Sequence, residues 1–319
     1  MPRARFLRPV VAVAAVPAVA LLVASSAGAA PTAAKAPAAA KAPAALTAAA
    51  ATQAHPTPLH LVKVHGTGVL NQPAGISSAV EASSNWAGFV STGSWNGAGF
   101  RYVQATFTVP SVNCGNSTAG NASYPDTFDD WVGLDGVGYN FGASTSVEQI
   151  GIDGQCANGA PSYGAWWETY PDPETPISFT VSAGDAITAD VYWDATRTAA
   201  QGQYDLVLTD VTTGQTFNQY EACAATTCAN SSAEVITEAP AIGTATLPLA
   251  DYGISNYENV AVTDRSGQRA SFASPNWVNT EVEQLDSTGS TVVSAPGPLF
   301  GGQAFSSYWS AEGNTPPSS

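Results

Sequence analysis

Four short clusters carry the side chains that could do chemistry. They are Ser84-Asn85-Trp86-Ala87-Gly88; Trp131-Val132-Gly133-Leu134-Asp135-Gly136; Val147-Glu148-Gln149-Ile150-Gly151 followed by Ala165-Trp166-Trp167-Glu168-Thr169-Tyr170-Pro171; and Ala233-Glu234-Val235-Ile236-Thr237-Glu238. If the last cluster is a strand, Glu234, Ile236 and Glu238 share one side, because successive side chains alternate. Two acids flanking an isoleucine suit neither a dry core nor a fully solvated face. A concave face with Trp and Tyr platforms and carboxylates would suit them, and such a face binds sugars or an extended peptide. Singly, each cluster has a blander reading: a Trp beside Gly is usually packing, and a strand Glu is usually solvated. Their conjunction is what points to a site.

The rest of the composition narrows the chemistry. All 25 Asp and Glu lie after residue 80, whereas six of the ten Lys and Arg and all three His lie before residue 81. Residues 81–319 hold four Arg and no Lys or His, a formal charge of −21. In that region a Ser-His-Asp or Cys-His pair, a Ser-Lys dyad and a Schiff-base lysine are excluded. So are a His-ligated metal site and a P-loop lysine. The charge repels nucleic acid and anionic membranes, so neither is expected as a partner. Carboxylates are left to move protons, with amides and hydroxyls as helpers.

These side chains must be positioned by β structure. From 81 to 312 no long helical pattern occurs. Alternation with period two recurs at 102–109, 177–181, 187–193, 204–208, 233–238, 260–263 and 291–293, separated by Gly, Pro, Asn and Asp. Many short alternating runs with frequent turn signals predict a single all-β domain, an antiparallel sandwich or barrel. Residues 1–29 read as a secretory signal: a basic start (Arg3, Arg5, Arg8), an apolar run over 10–24, and Ala27-Gly28-Ala29 as the cleavage site. Residues 30–80 are an Ala/Pro-rich linker or a propeptide, and 313–319 a flexible tail. Four cysteines in an exported chain suggest two disulfides. The short spacing favours Cys223 with Cys228, which leaves Cys114 with Cys156. Three connectivities are open, and a four-thiolate zinc site is the alternative, without CxxC spacing to support it.

Taken in order, the clusters resemble the glutamic peptidases of the eqolisin type. The resemblance runs through Asn85-Trp86-x-Gly88, Thr106-Phe107-x-Val109-Pro110, the 131–136 segment, Gln149-x-Gly151, Trp167-Glu168-x-Tyr170-Pro171, Ala183-Gly184-Asp185, Thr213-Gly214-Gln215 and Ala233-Glu234-x-Ile236-x-Glu238. It covers most of 83–263. It implies a lectin-like antiparallel β-sandwich of jelly-roll type, a catalytic pair of Glu238 and Gln149, and a cleft lined by Trp86, Trp131, Asp135, Glu168 and Tyr170. It implies no cofactor, and polypeptides as partners. Three positions depart from the family pattern: Thr169 where Trp is frequent, Thr237 where an apolar residue is, and Gly164 where an acid is.

The residues themselves allow the implied reaction. Peptide hydrolysis needs a base for water, a donor for the developing oxyanion and an acid for the leaving amine. One carboxylate can serve first as base and then as acid, and a carboxamide can donate to the tetrahedral oxygen. The expectation is therefore a secreted, monomeric, metal-free endopeptidase working in acid. Two other readings stand beside it. One is a secreted carbohydrate-binding or glycoside-hydrolysing sandwich using Glu168 and Glu238, and the other is a non-catalytic surface protein.

Overall fold

The computed structural model of the protein describes residues 80–93, 97–121, 123–138, 143–243 and 245–314. The expected signal, residues 30–79 of the leader and residues 315–319 of the tail lie outside the described residues. The strands are β1 (Val80–Ser83), β2 (Trp86–Thr92), β3 (Phe100–Thr108), β4 (Asp126–Val137), β5 (Ala143–Ala157), β6 (Ala160–Tyr170), β7 (Thr175–Ile177), β8 (Ala186–Trp193), β9 (Tyr204–Asp210), β10 (Gln215–Glu221), β11 (Ser232–Glu238), β12 (Ala241–Ile242), β13 (Ala245–Thr246), β14 (Ile254–Asp264), β15 (Arg269–Ala270), β16 (Val278–Leu285), β17 (Val292–Pro296) and β18 (Phe305–Trp309). One short 3-10 turn, Ala199–Gln201, joins β8 to β9.

A single sheet runs in the order β10-β9-β8-β3-β14-β18-β17-β16-β2-β11-β4-β5-β6-β7, and β12-β13 form a separate hairpin. The named strands pair antiparallel except for β1, which lies parallel to β16. The sheet doubles over on itself, so that β8 and β9 face β4 and β5 although they lie far apart along the path. The two layers of the expected sandwich are thus halves of one continuous sheet. Between them lies the main core, with Val103, Phe107, Val191 and Leu206 from one half and Val132, Ile150 and Val235 from the other.

Local sequence explains the outer half directly. Every second residue is buried over 103–107 in β3, over 187–191 in β8 and throughout β9, as the alternation predicts. The inner strands differ. β2, β4 and β11 are buried along their whole length, which a sheet shows when both faces are covered. One face packs on the main core. The other carries a second apolar cluster of Trp86, Val90, Trp131, Val137, Val147, Trp166, Ile236 and Val282, with Tyr170 against it.

Two expectations are corrected. The strand read over 177–181 is instead β7, Thr175–Ile177; the chain turns directly after it, with Phe179 N donating to Ile177 O at 3.0 Å. Gly313 and Asn314, assigned to the tail on composition, are packed: Asn314 is buried and its Nδ2 donates to Leu247 O at 3.1 Å. The four cysteines form two disulfides, Cys114–Cys156 and Cys223–Cys228. All four thiols are consumed, which removes the thiolate zinc alternative.

Candidate active site

The face carrying the second apolar cluster is built by five adjacent strands, β2-β11-β4-β5-β6. Residues paired across neighbouring strands share a side, so the registers give the site in rows. Trp86, Glu238, Asp129, Asp153 and Gly164 form one row. Gly88, Ile236, Trp131, Gly151 and Trp166 form the next. Val90, Glu234, Gly133, Gln149 and Glu168 form the third. Asp135, Val147 and Tyr170 follow. Six of the seven residues expected to form the catalytic pair and its cleft therefore lie on one sheet face; Asp135, with φ 75°, turns its carboxylate to Ser146, which alternates with Gln149 onto the opposite face.

Glu238 is fully buried. Its Oε1 accepts from Asn85 Nδ2 at 2.7 Å and its Oε2 from Trp131 Nε1 at 2.8 Å. Asn85 is itself oriented, because Ser83 Oγ donates to Asn85 Oδ1 at 3.0 Å. Ser83 Oγ in turn accepts from Trp86 N at 3.1 Å. Trp86 meets Trp131 edge to face, with ring centroids 5.0 Å apart, a favoured aromatic geometry. Asn85 lies in a motif the sequence singles out. Its role was hidden, because it depends on the register that sets Trp86 opposite Glu238.

Gln149 is also fully buried, and its Nε2 donates to Glu168 Oε2 at 2.5 Å. Its Oε1 has no hydrogen-bond partner. Trp131 links the two halves of the site. Its Nε1 holds Glu238, and its ring lies over Gly133: a Cβ built on Gly133 would stand 2.8 Å from Trp131 Cζ3 and 3.3 Å from Gln149 Cβ. A side chain at 133 would push the indole away from both residues.

Glu148 alternates to the opposite face, toward the main core. Burial, then the nearby Asp135, hold its carboxyl well above the ordinary range. Its Oε1 lies 2.9 Å from Cys228 Sγ. A disulfide sulfur carries no proton, so Cys228 is not a donor in this contact. Glu234, in the row of Gln149, is likewise held well above the ordinary range by burial, with Asp135 and Glu148 adding to the effect and the Ser232 hydroxyl opposing it.

Asp135, expected in the cleft lining, instead spends its acceptors on neighbouring segments of the chain, on the side of Glu148. Its Oδ2 accepts from Ser146 Oγ at 2.7 Å and Ala229 N at 2.6 Å, and its Oδ1 from Ser231 Oγ at 2.8 Å and Ser231 N at 3.3 Å. Asp135 adopts φ 75°, a region that Asp tolerates better than most residues. It ties the 229–231 segment to the end of β4. Tyr170 is half-buried at the rim.

A β-sandwich whose one face joins a two-donor carboxylate, a held carboxamide and a tryptophan floor defines a class of carboxylate-based cleft proteins. Residues 84–296 match the Peptidase A4 family, and the chain belongs to that family. Among curated proteins it is similar to Aspergillopepsin-2 of Aspergillus niger, 30% identical over 199 residues. That match takes in 57% of this chain and 65% of the relative, just under two thirds of its length. Among solved structures it is similar to scytalido-glutamic peptidase bound to a peptide-based transition-state analogue, with a TM-score of 0.55 and 23% identity over 71% of this chain and 98% of that one. It is also similar to SCP-B, a member of the eqolisin family of peptidases in complex with the tripeptide Ala-Ile-His, with a TM-score of 0.52 and 23% identity over 71% and 98% of the two chains. These structural likenesses concern the fold.

Proposed function

We propose that the protein is a secreted glutamic endopeptidase that hydrolyses polypeptides in acid, with Glu238 and Gln149 acting on one water. Family membership favours a peptide bond over a glycosidic one as the target. The observation that carries the reading is the placement of Glu238 and Gln149 on one sheet face, each oriented by its own partners and both set around Trp131.

In the reaction, ionised Glu238 takes a proton from water as the oxygen attacks the scissile carbonyl carbon. The carbonyl oxygen becomes an oxyanion. Gln149 Nε2 carries two N–H groups; one is held by Glu168 and the other donates to the oxyanion. Protonated Glu238 then delivers its proton to the leaving nitrogen as the C–N bond breaks, and returns to the ionised state. No covalent intermediate and no metal enter this cycle.

Export is supported by the signal pattern of residues 1–29 and by two disulfides. Among the described residues no helix is long and apolar enough to cross a membrane. The charge of −21 over residues 81–319 disfavours nucleic acid and anionic membranes as partners, and the protein is proposed to act as a monomer. The test is hydrolysis of denatured casein near pH 3.5 by the wild type and by Glu238→Gln. The wild type is expected to release peptides and leave polysaccharide intact, and the variant to lose activity by about 10²–10⁴-fold, the range for a general base. Equal activity in the two proteins would remove Glu238 from the mechanism.

A further inference from the structure

Glu234 is an acid on the candidate catalytic face that the proposed reaction does not use. It lies on β11 between Val90 of β2 and Gly133 of β4, in the row that ends at Gln149 and Glu168. Ala233 and Val235 on either side of it pack in the main core, whereas Val90 and Ile236 belong to the second apolar cluster. Its side chain therefore points to the same side as Glu238 and Gln149, and it is buried as completely as they are. Two strands separate it from Gln149, about 10 Å at the usual spacing. The residue between them, Gly133, has no side chain, and the Trp131 ring lies over it. An extended peptide advances about 3.3 Å per residue, so a chain held at Gln149 passes Glu234 within about three residues.

Among the described residues neither oxygen of Glu234 has a hydrogen-bond partner. The Ser232 hydroxyl stands near it, but has its one proton on Asp135 O at 2.5 Å and accepts from Val137 N at 3.1 Å, so it gives Glu234 no hydrogen bond. A buried polar group without a partner destabilises a fold, and an apolar side chain of similar size in its place is neutral or stabilising. The packing does not call for an acid here, since its neighbours in the row and along the strand are Val90, Gly133 and Ile236. A carboxyl group that keeps its proton has one O–H donor and one acceptor oxygen. This matches the C=O and N–H that each residue of a polypeptide main chain presents. Near pH 3.5, below the ordinary glutamate value of about 4.3, most glutamates keep that proton, and the burial of Glu234 acts in the same direction. Gln149 Oε1, in the same row, is likewise without a partner.

We infer that Glu234 is a substrate-binding residue that grips the polypeptide main chain: its carboxyl group donates to a backbone C=O and accepts from a backbone N–H within about three residues of the scissile bond. The inference rests on the peptidase reading and goes beyond it, since the catalytic cycle needs no group at 234. Its test measures peptide binding and stability together. A hexapeptide of Ala and Ser, blocked at both ends, is titrated calorimetrically near pH 3.5 into the full-length Glu238→Gln protein, alone and combined with Glu234→Leu or Glu234→Gln. Glu234→Leu removes both hydrogen bonds, so affinity is expected to fall by about 10–100-fold, while Tm stays at or above that of the parent. Glu234→Gln keeps a donor and an acceptor and is expected to hold affinity within about threefold. Undiminished affinity in Glu234→Leu, an equal loss in both variants, or a Tm lowered by Glu234→Leu overturns the inference; the last result would mark a structural acid. Release of peptides from casein by the wild type tests the peptidase reading by itself, so either can fail alone.

Discussion

Asn85 and Trp131 each donate to a different oxygen of Glu238 and fix the direction its carboxylate faces. On the proposed mechanism Asn85→Ala leaves that carboxylate with one of its two donors, and kcat/KM is expected to fall by about tenfold, as loss of one positioning hydrogen bond would give. An unchanged kcat/KM would show that Asn85 does not position the base. Gln149 calls for a different measurement. On the proposed mechanism its removal takes away an oxyanion donor, so Gln149→Ala should lower kcat by about 10²–10³-fold with KM little changed. A variant that changed only KM would show that Gln149 binds the ground state instead. Glu168 is the residue that fixes the Gln149 amide. It joins the site as a positioning group, beside its expected place in the cleft lining.

At the scale of elements, the strand carrying Glu238 is anchored from behind. Thr237, next in sequence, turns to the opposite face and donates to Asp130 Oδ1 at 2.8 Å. Tyr257 OH on β14 donates to the same oxygen at 2.6 Å, and Ser255 Oγ donates to Asp130 Oδ2. Burial pushes the Asp130 carboxyl up to about 6 despite these hydroxyls. Tyr257→Phe leaves a buried acceptor short of a donor and should cost about 1–3 kcal/mol, read as a lower urea midpoint at constant m-value. An unchanged midpoint would mean that the network does not hold β4, β11 and β14 together. Thr237 reads in the sequence as a departure from the family pattern, and this network gives it a place. The outer strands β3, β8 and β9 were legible because one of their faces meets less crowded surroundings and the sequence alternates. The long strand β4 was not, because both of its faces are covered and alternation between apolar and polar fades. The site residues were legible as types in order. Their neighbours Ser83 and Asp153 were not, since register and side-chain direction, which spacing does not reveal, decide what they touch. The strand expected over 177–181 failed for a local reason: the chain turns immediately after Ile177.

For the whole molecule, the distribution of buried acids sets the pH at which the fold is strongest. Burial, with Glu312 nearby, raises Asp126 to about 7. Burial raises Asp130 and Asp190 to about 6, and raises Glu148 and Glu234 well above the ordinary range. A carboxyl raised in the folded state holds its proton more tightly than in the unfolded chain. Its contribution is therefore fully present below about pH 4 and is lost as pH rises through 6–7. Asp194, held low chiefly by the Thr196 hydroxyl, and Asp286, held low chiefly by the Ser290 backbone N–H, act in the opposite direction from turns near the surface. The buried groups dominate, because a tenfold change in a buried group's proton affinity is worth about 1.4 kcal/mol, whereas solvent screens the surface groups. Calorimetry should find Tm higher near pH 4 than near pH 8 by on the order of 10 °C, and a Tm that rises toward neutrality would contradict this. Acid self-repulsion is small for the same body: with its carboxylates neutralised, residues 81–319 keep only four arginines as positive side chains. The fold and the proposed chemistry thus favour the same pH range. The most direct measurement of that chemistry is a double-mutant cycle on peptide hydrolysis near pH 3.5, using Glu238→Gln, Gln149→Ala and the pair together. Two groups acting on one water predict that the double variant loses little more kcat than Glu238→Gln alone. Losses that multiply, as for independent sites, would contradict the shared role of Glu238 and Gln149.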